Sequence, residues 1–106
     1  MPINELESYR VNKLVKVGID ANDDIYACTN AGVWKLNVSS DRTTATQILT
    51  KFTSNVVDIC YVNGMTVVAE PLSVNWANCK ISEAAETTEW NINSSFGSQE
   101  IIGLVP

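Results

Sequence analysis

The sequence predicts an all-β fold, and three observations carry that expectation. Valine, isoleucine and threonine account for 30 of the 106 residues. Side chains of this kind favour pleated strands, because two heavy atoms on Cβ crowd a helical turn. Serine, threonine and asparagine together supply more than a quarter of the chain, the usual material of turns and of strand faces that meet water. The chain also repeats itself every ~42 to ~45 residues, which leaves room for four short strands and their turns in each unit. Leucine, isoleucine, valine and phenylalanine also exceed a quarter of the chain, too much apolar material for a disordered segment. At 11.6 kDa, about 65% of the unfolded chain's surface can be buried, enough for one modest core.

The repeat is carried by named residues. Leu14-Val15-Lys16-Val17-Gly18-Ile19 returns one period later as Val56-Val57-Asp58-Ile59-Cys60-Tyr61, and a third version, Ile101-Ile102-Gly103-Leu104-Val105, follows after a further period. Lys35-Leu36, Thr43-Thr44, Ile48, Phe52 and Ser54 are echoed by Lys80-Ile81, Thr87-Thr88, Ile92, Phe96 and Ser98. Trp34 and Trp76 are separated by the same interval as Leu14 and Val56, and are expected at matching places. The chain therefore reads as a single all-β domain over residues 1–106, with repeat one at about 12–54 and repeat two at about 55–98. An extra C-terminal strand is expected within 100–105.

Each unit divides into four strands bounded by turn signals. In the first unit, Leu14 to Ile19 is a strand and Asp20-Ala21-Asn22-Asp23-Asp24 a turn. Ile25 to Thr29 follows, Asn30-Ala31-Gly32 turns the chain into Val33 to Asn37, and Ser39 to Arg42 leads into Thr44 to Thr50. In the second unit, Asn63-Gly64 is the strongest hairpin signal, since both residue types tolerate the positive φ of a type I′ turn. It joins Val56–Tyr61 to Thr66–Ala69. Pro71 ends that strand because it has no N–H to donate. Val74 to Ile81 and Thr87 to Ile92 complete the unit.

Four antiparallel strands in a unit of this length match the size of a β-propeller blade. Ile19-Asp20-Ala21-Asn22-Asp23-Asp24-Ile25-Tyr26-Ala27-Cys28-Thr29-Asn30-Ala31-Gly32-Val33-Trp34-Lys35-Leu36 also resembles propeller repeats of the two-component-regulator type. Those repeats run Asp, turn, aromatic, small residue, Thr-x-x-Gly, hydrophobic, aromatic. In the second unit Glu70-Pro71-Leu72-Ser73 stands in place of the Thr-x-x-Gly corner. The resemblance implies a blade and no particular activity. Propellers close with roughly four to eight blades, so two blades and a leftover strand imply either a fragment of a larger propeller or a ring shared between copies. Three copies would supply six blades. A β-sandwich of eight or nine strands is the alternative architecture.

Charge and cysteine content narrow the function classes. The formal net charge is −5, and the seven lysines and arginines are scattered from Arg10 to Lys80. Nucleic acid and anionic lipid both need clustered cations, so neither is an expected partner. No apolar run approaches the ~20 residues of a membrane helix, and the first residues show no signal-peptide pattern. The expected location is the cytoplasm, or release as part of a virion-like assembly. Cys28, Cys60 and Cys79 are odd in number, widely spaced and unaccompanied by histidine. They read as buried free thiols acting as small apolar residues, and no cofactor is expected.

Candidate binding residues are few. Asp20, Asn22 and Asp24 place oxygen donors at alternate positions, like the start of a calcium loop. Ile25 and Ala31 stand where an EF-hand needs its glycine and its glutamate, so an acidic turn is the plainer reading. Trp34, Trp76 and Trp90 can stack on sugar rings or pack between sheets. Glu89, beside Trp90, offers a hydroxyl acceptor, which makes Trp90 the leading single candidate. Without histidine, a serine or cysteine nucleophile lacks its commonest base. Asp20, Asp23 and Asp24 share one turn instead of facing each other as a glycosidase's carboxylates do. The expected function is therefore non-catalytic: a structural or interaction subunit that self-assembles or joins other protein subunits, such as a virion component. A lectin-like glycan-binding module forming a shared propeller ring is the alternative, and a fragment of a larger sensor propeller is a third.

Overall fold

Eight antiparallel strands form among the described residues of the computed structural model, which comprise 4–17, 24–84, 88–95 and 99–104. Strands β1 (Val11–Val17), β2 (Asp24–Thr29), β3 (Gly32–Asn37) and β4 (Thr44–Ile48) make one sheet in chain order. Strands β5 (Asp58–Val62), β6 (Met65–Glu70), β7 (Ser73–Ala77) and β8 (Asn91–Asn93) make a second in the same manner. The all-β expectation of two four-stranded antiparallel repeats holds. Among the described residues neither sheet closes on itself, and no strand passes from one sheet to the other. The sheets meet along their first strands, β1 lying against β5.

The core sits between the sheets. Tyr26, Cys28 and Val33 of the first sheet meet Ile59 and Val68 of the second, and Leu49, Phe52 and Val56 of the connecting segment fill the gap with Ile81. Alternation along each strand then settles the other faces. Leu14, Ala27, Trp34 and Leu36 share the outer face of the first sheet. Cys60, Val67 and Trp76 share the outer face of the second. A 3-10 turn at Asn4–Leu6 covers part of the first outer face, where Leu6 packs with Ala27 and Ala45 against Trp34 and Leu36. The Glu5 carboxylate accepts the Ala45 N–H at 3.3 Å, satisfying a donor on the edge strand β4.

The turns follow their residue chemistry. Asn63 and Gly64 take φ values of 51° and 77° between β5 and β6, as a two-residue type I′ hairpin requires. In the Thr29-x-x-Gly32 corner, the Thr29 hydroxyl donates to the Gly32 carbonyl at 2.9 Å and accepts the Ala31 N–H at 3.0 Å. Gly32, paired with Thr29 across the two-residue Asn30-Ala31 turn, has φ 95°, a left-handed value that glycine adopts without steric cost. Its backbone lies so close to the connecting segment that a Cβ would sit 2.2 Å from the Phe52 carbonyl oxygen. Pro71 and Leu72 form the matching turn of the second sheet, and β6 ends at Glu70 as its following proline dictates.

Several boundaries differ from expectation. Strand β1 begins at Val11, and Gly18 and Ile19 lie outside the described residues. Strand β5 starts at Asp58 rather than Val56, because Val56 is used as a fully buried plug and its N–H bonds to the Thr29 carbonyl. Strand β7 ends at Ala77, and Ile81 instead opens a 3-10 turn (Ile81–Glu83) that drops its side chain into the core. Strand β8 is only Asn91–Asn93, with Thr87 outside the described residues. The expected C-terminal strand is not formed over residues 101–104. Two separate bonds hold that segment, from the Ile101 N–H to the Pro71 carbonyl and from the Leu104 N–H to the Asp58 carboxylate.

The two glycine turns make a quantitative contrast. Gly32→Ala adds both a left-handed strain and a backbone clash, so unfolding in urea is expected to show a loss of at least ~2–3 kcal/mol. Gly64→Ala adds the strain alone, since nothing lies within 4 Å of its Cβ position, and a loss of about 1 kcal/mol is expected. Equal losses would contradict the close approach at Phe52.

Candidate functional site

The residues flanking β8 shape the groove that contains the leading candidate. Asn78, Cys79, Thr88, Glu89, Trp90 and Asn91 line an open depression of about 470 Å³. The turn at Ile81–Glu83 follows Cys79 in the chain: the Glu83 carboxylate accepts the Lys80 N–H at 3.3 Å, and buried Ile81 anchors the turn to the core. Trp90 is half-buried and packs edge-on against Phe52, with ring centroids 4.8 Å apart and planes at 90°. Its indole Nε1 is buried without a hydrogen-bond partner among the described residues, an uncommon state for a buried tryptophan N–H. Glu89 beside it is exposed.

The other tryptophans are placed differently. Trp34 donates its indole N–H to the Ala31 carbonyl at 3.3 Å and lies 5.7 Å from the Tyr9 ring, so its polar edge is satisfied within its own hairpin. The expectation that Trp34 and Trp76 occupy matching places fails by one residue. The turns at Asn30-Ala31 and Pro71-Leu72 are closer together in the chain, by a single position, than the two tryptophans are. Trp34 therefore matches Asn75, which faces the core, while Trp76 matches Lys35. A slip of one residue exchanges the faces of a strand, and no run of similar residues reveals it.

Of the calcium candidates, Asp20 and Asn22 lie outside the described residues. Asp24 opens β2, accepts the Tyr26 hydroxyl at 3.4 Å and lies 3.8 Å from the Lys35 ammonium. Lys16 and Lys35 share its groove, and cations there oppose the approach of a divalent ion. Among the described residues no three carboxylate, thiol or imidazole groups gather as a metal cluster would need. Cys28 is buried, whereas Cys60 and Cys79 are only half-buried. Burial, reinforced by the Asp58 charge, pushes the Cys28 thiol up to about 12. Burial likewise raises Cys60, with Asp58 adding to it, and Cys79, with Glu83 adding to it. Thiols held protonated are poor nucleophiles.

A polar junction that residue patterns did not single out joins the two sheets. Asp58 is buried at the start of β5. One carboxylate oxygen accepts the Ile59 N–H at 2.8 Å, and the other accepts the Lys13 ammonium at 2.8 Å and the Leu104 N–H at 2.9 Å. Beside Lys13, the register of β1 shifts between Val11 and Lys13. Such a bulge re-aims a side chain, and Asn12 here donates across the junction to the Asn55 side chain at 2.7 Å and the Val56 carbonyl at 2.8 Å. The available signal was the 45-residue spacing of Lys13 and Asp58, opposite charges at the same place in successive units.

No protein-family model, curated protein or solved structure matches this chain.

The Lys13–Asp58 bond has a pH signature. Its hydrogen bond, with the Asp58 charge, holds the Lys13 ammonium above the ordinary lysine range. A group whose folded pKa is raised stabilises the fold fully below its unfolded pKa, and that stability is lost as pH rises through the folded pKa. The urea midpoint is expected to fall above about pH 10.4, more steeply in the wild type than in Lys13→Met. Identical slopes would show that the bond contributes nothing net, as for many exposed pairs.

Proposed function

We propose that this chain is a non-catalytic structural or interaction subunit that works by assembling with copies of itself, in the manner of two blades of a shared ring. One observation carries the reading: two sheets stack through a single interface, and apolar residues remain bare on the faces and edge left over. Leu14 on the first sheet is 60% exposed and Ile92 on β8 is 57% exposed. The chain exposes 6376 Å², above the roughly 5,800 Å² expected for a compact chain of its mass. Unpaired edges and apolar faces of this kind favour pairing with other chains. A virion or another large assembly is a setting in which such a subunit serves. Light scattering on a sizing column tests the reading directly. A mass at a multiple of 11.6 kDa, three copies being the favoured number, is the expected outcome, and a concentration-independent monomer would sink it.

A second reading is supported by the Trp90 groove. The half-buried indole with its unpartnered N–H, together with Glu89, Asn78 and Asn91 on the lining, offers the stacking face and polar groups that a sugar ring uses. In this reading the assembled subunit is lectin-like. Wild-type binding on a glycan array, lost in Trp90→Ala and in Glu89→Ala with unchanged solution mass, is the expected result. Glu89→Ala removes an exposed side chain, so its loss of binding is not a folding effect. Absence of wild-type binding removes this reading and leaves the first intact.

A further inference from the structure

The two sheets are stacked in the same sense, and that fixes what a third sheet must look like. Matching the Thr29–Gly32 turn to the Glu70–Ser73 turn and following the strand registers places Lys13 over Asp58 and Leu14 over Ile59. The same matching places Trp34 over Asn75 and Leu36 over Ala77, and sets Val67 and Val74 over Tyr26 and Val33. The outer face of the first sheet is thus the counterpart of the face by which the second sheet docks. The outer face of the second sheet is likewise the counterpart of the face that receives it. Burial follows the occupied interface. Ile59 is 1% exposed where its counterpart Leu14 is 60% exposed. Val33 and Tyr26 are buried, whereas Val74 and Val67 are only half-buried.

The Lys13–Asp58 bond belongs to the occupied interface alone, because Asp58 is 2% exposed and its carboxylate is taken by the Lys13 ammonium and by the Ile59 and Leu104 N–H groups. The Asn4–Leu6 turn packs with Ala27, Ala45, Trp34 and Leu36 and leaves Leu14 on β1 uncovered, at the side where the first strands meet.

We propose that a second copy of this chain docks head-to-tail on these faces, the outer face of its second sheet covering Leu14 on the part of the first sheet's outer face that the Asn4–Leu6 turn leaves bare. The contact is heterologous, so it closes into a ring when the rotation per sheet permits. This rests on the assembly reading above and names the surface that reading uses. Leu14→Glu places a charge in the contact while altering an exposed position of the single chain. Its solution mass is expected to fall to 11.6 kDa with an unchanged circular dichroism spectrum. Ile92→Glu, which charges the β8 edge instead, is expected to keep the wild-type mass. An assembled Leu14→Glu protein, or a monomeric Ile92→Glu protein, would overturn the face contact and leave assembly through the edge. A monomeric wild type would overturn both the contact and the assembly reading. If Leu14→Glu does not fold, Leu14→Asn puts the same question without added charge.

Discussion

Two sheets have four faces, and one sheet-on-sheet contact covers only two of them. The consequences of that constraint run through the molecule. The covered pair carries the fully buried aliphatic residues, Val33 from one side and Ile59 and Val68 from the other, with Val56 and Phe52 of the connecting segment closing the gap. The uncovered pair is managed by the chain's own ends. Leu6 and its 3-10 turn lie on one outer face, and residues 101–104 are tied near the other through Pro71 and Asp58. Neither segment is a strand, so neither presents a continuous row of donors and acceptors to a further chain.

Where the sheets meet, apolar burial alone does not set their relative position, because hydrophobic contact is non-directional. The polar junction supplies direction. Asp58 draws together β1, its own strand and the C-terminal segment, and the Asn12 bulge reaches into the linker at Asn55 and Val56. The linker is gripped from a second side, where Gly32 donates its N–H to the Ser54 carbonyl and Val56 donates to the Thr29 carbonyl. The Thr-x-x-Gly corner therefore does more than turn a hairpin. With no side chain on Gly32, the linker backbone runs directly against it, and the spacing between sheets follows from that approach.

Much of the fold was legible because strand identity depends on local chemistry. The clustering of β-branched residues, Asn63-Gly64, the proline at position 71 and the Thr29–Gly32 corner each marked an element that the structure contains. Strand ends were less legible: Val56 and Ile81 have strand-like side chains, yet the core uses them from irregular backbone. Trp90 and Glu89 do share a groove, but Asn78 and Cys79 beyond β7 complete its lining, and the Trp90 ring packs on Phe52, which belongs to the linker between the sheets and is remote in sequence. The match of Trp34 to Trp76 misled for a simple reason. A repeat read by residue similarity tolerates a shift of one, whereas a pleated strand does not.

By itself the amino-acid sequence determined an all-β chain built of two similar units, since composition, period and turn chemistry act within a few residues of one another. It shows, too, seven scattered lysines and arginines and no histidine. The tertiary structure alone decided which face of each strand is buried and that Lys13 finds Asp58 from 45 residues away. It alone left Leu14 bare while burying its counterpart Ile59. Those outcomes depend on register and on how the two sheets stack, and both are set by contacts between residues far apart in the chain.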